Sequence, residues 1–309
     1  MKNFAKISYF ISISFFVIFL ACNQSKNSQN KNETILKGKT TVLVDETLQP
    51  IIEDQIAVFE SKYDNSKIDI NAKSETEVVQ ALLKDSSDIA ILTRTLSPEE
   101  SKIFSNRKIT PKITKFATDA IAFITNKNNN DSLIALEDVV HFMQGKSNTK
   151  IKGLVFDNPN SSTVRYMNEK AGLKAIPEKG VFSFKTNEEV IRFVSENDGM
   201  IGIVGLNWLS QPSGIMKDYV NKINLLSVKG INSNAYYTPT QNNIAEGKYP
   251  LARDLYIINC QGFSGLGMGF SSFIAGDIGQ RIILKSGLLP IRVPGRNIIV
   301  RKKIDNKKK

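Results

Sequence analysis

The sequence predicts an α/β protein of two lobes, each an open, mostly parallel sheet flanked by helices, joined by two crossings of the chain. Three observations carry that prediction. Short β-branched runs alternate with stretches of helical period through the first third of the chain. The alternation resumes beyond a single extended run, Phe116 to Ala122, and a second extended run, Tyr249 to Ile258, leads back to a terminal stretch of helical period. The 309 residues suffice for one large domain or two lobes, and 41% hydrophobic with 23% charged residues is a soluble globular composition, neither collagen-like nor disulfide-rich.

Lys39 to Val44 (KTTVLV) reads as a strand. Asp45, Glu46 and Thr47 lead from it into a helix whose apolar positions Leu48, Ile51, Ile52, Ile56 and Phe59 recur at helical spacing, with Pro50 tolerated in the first turn. Lys67 to Ile70 is a second strand, and Ser74, Glu75 and Thr76 open a short helix through Val78, Val79, Leu82 and Leu83. Asp88 to Thr93 (DIAILT) is a continuous apolar run, the pattern of a strand buried on both faces. Open parallel sheets bind ligands at the carboxyl ends of their strands. Those ends bring Asp45 to Thr47, Ser74 to Thr76, and Thr93 with Arg94 to one rim.

Ser97-Pro98-Glu99-Glu100 is a capping box with proline in the first turn, a helix start. The apolar run Ala120 to Ile124 follows, then an Asn-rich turn, then a helix from Leu136 to Gln144 closed by Gly145. His141, the only histidine, lies in that helix beside Val140 and Phe142 and reads as structural. Thr186 to Glu189 is another capping box, opening a helix through Val190, Ile191 and Val194 that Gly199 ends; Ile201 to Val204 is a strand. The last helical stretch runs from Phe270 to Ser286, capped by Gly287, with Pro290 beyond. Gly262, Gly265, Gly267 and Gly269 do not spell the dinucleotide fingerprint, whose third glycine would fall on Phe270, and read as a turn.

The stretch Asp157 to Gly172 (DNPNSSTVRYMNEKAG) is the strongest functional candidate. A turn containing Pro159 delivers Ser161, Ser162 and Thr163 to a helix start, where backbone N–H groups lack internal acceptors and the peptide dipoles favour an oxyanion. Hydroxyls donate to such a guest without adding charge, and Arg165 adds a charge-assisted bond. The other reading of the same residues is that Ser161 or Ser162 simply caps the helix.

The formal charge of +11 favours anionic ligands or surfaces, although part of it sits in the closing run Arg301 to Lys309. Neither an aromatic-interleaved basic stripe nor a nucleic-acid motif is present, so nucleic acid is not an expected partner. At the other end, Lys2 and Lys6 precede an apolar run, Ile7 to Ala21, too short for a comfortable membrane span and ordered as an export signal. Phe19-Leu20-Ala21-Cys22 resembles the lipobox of bacterial lipoproteins, with Phe19 in place of the usual aliphatic residue; an uncleaved signal anchor is the alternative. If Cys22 carries lipid, Cys260 is the only other thiol, a small buried side chain by its apolar context. The polar residues that follow Cys22 form a tether, which as a flexible coil reaches on the order of 20 Å.

Read together and in this order, DIAILTRTLSPEE (88–100), DAIAFITNKNN (119–129), LEDVVHFMQGK (136–146), NSSTVR (160–165), GIVGL (202–206), YPLARDLYI (249–257) and GQRIILKSGLLP (279–290) resemble the PstS-like phosphate-binding proteins of bacterial ABC importers, a branch of the type II periplasmic binding proteins. The resemblance implies two α/β lobes on two hinge crossings that close over inorganic phosphate, with ABC permease subunits as partners and neither catalysis, cofactor nor metal. The expected organisation is a signal peptide (1–21), a lipid-anchored tether (22–38), lobe I in two parts (39–118 and 249–305), lobe II (119–248) and a basic tail (306–309), in the periplasm or cell envelope.

Carried over residue by residue, NSST stands at the family's phosphate-binding turn, which implies Ser161, Ser162 and Thr163 as ligands. Thr93 and Arg94 match the family's Ser-Arg or Ser-Asp position, Thr47 the hydroxyl of the first loop and Ser74 that of the second. Arg94 or Arg165 is expected to supply guanidinium charge. Ser162 stands in place of a glycine, and the other departures are acidic: Asp45 and Glu46 in the first loop, Glu75 and Glu77 in the second, and Asp157 where the family often has arginine. Carboxylates beside a dianion are costly in a dry cleft unless paired or protonated. One aimed at a protonated phosphate oxygen would instead accept its hydrogen bond and select against sulfate. Two rivals remain: the same fold with another oxyanion or a phosphorylated small molecule, and a non-transport envelope lipoprotein. With one histidine, one thiol beyond Cys22 and no nucleophile–base spacing, an enzyme is least supported.

Overall fold

The computed structural model describes residues 33–146, 151–210, 212, 214–293 and 295. The expected signal peptide, Cys22, most of the tether and the basic tail lie outside the described residues. The chain divides into two units, Met1–Glu33 and Thr34–Lys309, and the helices and strands named here belong to the second.

The first part runs β1 (Gly38–Asp45), α1 (Gln49–Lys62), β2 (Ser66–Lys73), α2 (Glu75–Leu83), β3 (Ile89–Leu92), α3 (Pro98–Asn106) and the long β4 (Lys112–Asn126). A second set follows: β5 (Leu133–Ala135), α4 (Leu136–Met143), β6 (Gly153–Phe156), α5 (Ser162–Ala171), β7 (Val181–Ser183), α6 (Asn187–Glu196) and β8 (Met200–Gly205). Short pieces, α7 (Asn207–Ser210), α8 (Met216–Val220), β9 (Ile223–Leu225), β10 (Ser227–Lys229), β11 (Tyr236–Tyr237) and α9 (Gln241–Ala245), precede the return through β12 (Ala252–Asn259), α10 (Leu266–Ala275), α11 (Asp277–Lys285) and β13 (Leu289–Pro290).

The main sheet is ordered β2-β1-β3-β12-β4-β8-β6-β7, with β9 and β13 also on β4, while β5, β10 and β11 pair separately. β1 lies parallel to β2 and β3, and β6 parallel to β7 and β8; β12 and β4 run antiparallel to their neighbours. β4 serves both halves: Lys112 to Ala120 pair with β12, and Ile121 to Thr125 with β8. The returning chain lies against that switch, with Ile121 N donating to Leu251 O at 2.9 Å and the Tyr249 hydroxyl to Ile121 O at 2.7 Å. Two crossings therefore run side by side, and the described helices and strands outside them fall into lobe I or lobe II.

Each lobe has its own apolar interior. In lobe I the strand alternation is strict: Val42, Val44, Ile89 and Ile91 face Leu48 and, from α1, α10 and α11, Ile52, Phe59, Phe270 and Ile283, while Leu43, Ala90 and Leu92 face Val78, Leu82 and Phe104. This is the two-sided burial expected of DIAILT. Lobe II packs Phe123, Phe156, Val190, Val194 and Ile203 around β4 and β8.

Two local readings are corrected. The terminal helical stretch begins at Leu266, not Phe270, and breaks at Gly276, whose extended backbone ends α10 and caps α11. Gly267 and Gly269 accordingly lie inside a helix rather than in a turn. They are there for close approach: a Cβ at Gly269 would fall 1.6 Å from Ile35 O, and one at Gly267 2.1 Å from Ile89 Cδ1. The second capping box is also incomplete, since Thr186 accepts from Glu189 N but the Glu189 carboxylate takes Lys185 N.

Candidate functional site

The carboxyl end of β1 turns sharply at Asp45, whose side chain accepts Thr47 N at 3.1 Å and starts a short 3-10 turn ahead of α1. Thr47 is thereby fully buried at the lobe interface, with its carbonyl accepting Asn207 Nδ2 at 2.8 Å and Trp208 Nε1 at 3.1 Å from lobe II. Opposite, Ser161 caps α5: its hydroxyl accepts Val164 N at 3.2 Å and donates to Asp157, and its own N–H turns back to Asn158 O at 2.8 Å. Ser162 and Thr163 are the first two residues of α5, where main-chain N–H groups precede the helical ladder.

A guanidinium joins these two rims. Arg253 stands on β12 in register with Asp119 on β4, and both side chains are buried, with Nη2 3.0 Å and Nε 3.3 Å from Asp119 Oδ2. From there Nη1 donates to Ser162 Oγ at 2.9 Å and Nη2 to Thr47 Oγ1 at 3.2 Å, while the two hydroxyl oxygens lie 3.0 Å apart. Around this group, Asp45 Oδ2, Asp119 Oδ1, Thr163 Oγ1 and Asn207 Oδ1 are buried with no hydrogen-bond partner among the described residues. Buried polar atoms are rarely left so, and their gathering in one place marks it as built for a polar guest.

Carboxyls crowd the same interface. Burial, with the Glu75 charge second, pushes the Asp45 carboxyl up to about 6. Burial likewise pushes Asp157 up to about 7, and burial with the facing Asp157 charge pushes Glu46 up to about 8. Asn187 mediates between the last two, its Nδ2 lying 3.2 Å from Glu46 Oε2 and 3.1 Å from Asp157 Oδ2. A second cluster forms about Glu75, at the start of α2. It accepts Arg165 Nε at 2.5 Å, the Thr93 hydroxyl at 3.0 Å and Arg94 Nε at 3.4 Å.

The residues singled out by sequence thus separate into groups. Thr47 and Ser162 meet beneath Arg253, with Thr163 next in α5. Ser161 and Ser74 are spent on helix starts, Ser74 Oγ donating to Glu77 at 2.6 Å in the capping box of α2. Thr93, Arg94 and Arg165 converge on Glu75 instead. Arg94 is further held by Glu100 through two 2.8 Å bonds, and Arg165 by Glu169 at 2.8 Å. Both expected guanidiniums are committed to carboxylates, and the one that reaches the hydroxyls, Arg253, lies in a run that the sequence marks only as a crossing. The available signal was an opposite pair of charges, Asp119 and Arg253, inside the two extended runs.

Comparison with known proteins agrees with this architecture. Residues 28–277 match the family model of the PBP superfamily domain. A curated relative, the phosphate-binding protein PstS of Borreliella burgdorferi, is 28% identical over 284 residues, covering 86% of this chain and 93% of that protein. Among solved structures, a candidate phosphate ABC transporter substrate-binding protein of Clostridium perfringens with bound phosphate superposes with a TM-score of 0.68 at 20% identity, covering 82% of this chain and all of that one. An ABC-type phosphate transport receptor of Vibrio cholerae gives 0.61 at 16% identity over 82% of this chain and 100% of its own. The chain belongs to the PBP superfamily, with phosphate-binding PstS proteins among its relatives.

Proposed function

We propose that the protein captures inorganic phosphate between its lobes and delivers it to the permease of an ABC importer, as a binder and not an enzyme. The observation that carries this reading is the buried Arg253 guanidinium, rooted in the crossing strands and donating to one hydroxyl from each lobe. A small oxyanion placed there would meet the hydroxyls of Thr47, Ser162 and Thr163, the N–H groups at the start of α5 and the positive end of its dipole. Asp45, whose Oδ2 has no hydrogen-bond partner among the described residues, fits a protonated phosphate oxygen, which donates to it; fully deprotonated sulfate offers no such proton. That the PstS relatives are phosphate-binding proteins supports the choice of phosphate.

On this reading the hinge lies at the two crossings, with lobe I as 39–118 and 249–305 and lobe II as 119–248. Export and lipid attachment at Cys22 belong to the same proposal and place the binding unit at the cell envelope. A thermal-shift panel of phosphate, sulfate, molybdate and phosphorylated small molecules tests the ligand. The reading expects phosphate to raise the melting temperature most. A larger shift with a phosphorylated organic compound would transfer the site to that ligand, and no response to any anion would remove it.

A further inference from the structure

The group around Glu75 also lies between the lobes, with side-chain contacts distinct from those of Arg253, although the Glu75 charge reaches Asp45. Glu75 opens α2, whose Val78 and Leu82 belong to the interior of lobe I. Arg165 lies in α5, whose Val164 and Met167 belong to that of lobe II. The two side chains meet in a two-point pair, Nε to Oε1 at 2.5 Å and Nη2 to Oε2 at 3.2 Å, with the Glu75 side chain only 4% exposed. Beside them Thr76 N and Oγ1 each reach Asn160 O at 3.3 Å. The cluster is a further bond between lobes, and the two arms of the pair are 90 positions apart in sequence.

What each partner keeps within its own lobe is the informative part. Glu75 also accepts from Thr93 and Arg94, both of lobe I, and Arg165 also donates to Glu169, one turn along the same helix. If the lobes part, neither charge is stranded. A buried pair whose separation left a bare carboxylate would weld the interface shut, because an unpaired buried charge is costly. A pair with a reserve partner on each side can open and re-form.

We infer that Glu75 and Arg165 form a reversible ion-pair latch that holds the lobes closed, positioning the cleft without touching the captured anion. This rests on the proposed capture of phosphate between the lobes. The latch acts on the closed form, so it governs release more than association.

A double-mutant cycle on the full chain, with phosphate association and release followed by stopped flow, tests it through E75Q, R165Q and the double variant. The latch predicts release about tenfold faster in E75Q, the ratio that one charge-assisted hydrogen bond carries, with association changed far less. It also predicts that R165Q costs less in the E75Q background than in wild type, where only the Thr93 hydroxyl, 3.0 Å from Nη2, and the amide oxygen of Gln remain for Arg165 to meet. Slower or unchanged release in E75Q would overturn it, as would an Arg165 loss that simply adds, since the latter makes Arg165 a direct anion ligand. Wild-type protein that takes up no phosphate would refute the proposed function and not the latch. X-ray scattering of the ligand-free proteins then decides: a smaller radius for wild type than for E75Q supports the latch, and equal radii overturn it.

Discussion

Thr47 and Ser162, 115 positions apart, bring their hydroxyl oxygens to 3.0 Å from each other under a single guanidinium that donates to both. One hydroxyl follows the first strand of lobe I and the other starts a helix of lobe II. Arg253 belongs to the returning crossing. A lobe rotation about that crossing would break these contacts together, which couples closure of the protein to completion of its donor set.

Arg253 and Asp119 are both almost wholly buried, so their separation has two distinct consequences. Arg253→Gln leaves the Asp119 carboxylate without its partner and is expected to lower stability by about 3–5 kcal/mol. Adding Asp119→Asn removes the stranded charge and should recover most of that loss in urea unfolding. Phosphate binding should stay lost in both variants, and wild-type affinity in the double variant would show that the guanidinium is dispensable.

The Thr163 hydroxyl is buried without a partner among the described residues, whereas the rest of the side chain packs at the start of α5. Thr163→Val keeps the shape and removes the oxygen. Calorimetry should show phosphate binding weakened by about 1–3 kcal/mol, the cost of a hydrogen bond to a charged group, with the melting temperature of the ligand-free protein held or raised. A fall in melting temperature with unchanged affinity would assign the hydroxyl to folding instead.

Glu46 titrates at about 8 in the folded protein against an ordinary value of 4.5. The folded chain therefore binds a proton that the unfolded chain has released throughout that window, and the sign follows: this contribution to stability is complete below 4.5 and is lost as pH rises to about 8. Asp157 and Asp45 face Glu46 and act in the same direction. Glu46→Gln, which keeps a group able to pair with Asn187, should flatten the decline of melting temperature between pH 5 and pH 8. Parallel profiles for variant and wild type would contradict the assignment.

Gly269 offers a test of opposite sign to the usual rule. Alanine for glycine inside a helix ordinarily gains up to about 1 kcal/mol. Here the new Cβ would lie 1.6 Å from the Ile35 carbonyl oxygen, so Gly269→Ala should instead cost about 1–3 kcal/mol in chemical unfolding.

That glycine also shows where sequence reading stops. The alternation of β1 to β3 and the helix starts at Ser97 and Ser161 are local patterns, written within a few residues, and the structure contains them. The reason for Gly269 is a carbonyl more than two hundred positions away, which no local pattern carries. Arg94 pairs with Glu100, which the capping box already placed close by; Arg165 pairs with Glu75 across the lobes, which only the fold reveals. Thr47 and Ser162 were legible as hydroxyls at strand and helix ends, the places where the rules of α/β sheets put ligands. Arg253 was hidden because an arginine in an extended run looks like a surface residue until its partner strand is known.

The central claim is tested most directly by calorimetric titration of the full chain with phosphate and with sulfate under the same buffer conditions. The account predicts a saturable one-to-one exotherm for phosphate and weaker binding or none for sulfate, with Asp45→Asn narrowing the difference. Equal affinities for the two anions, or no heat with either, would contradict it.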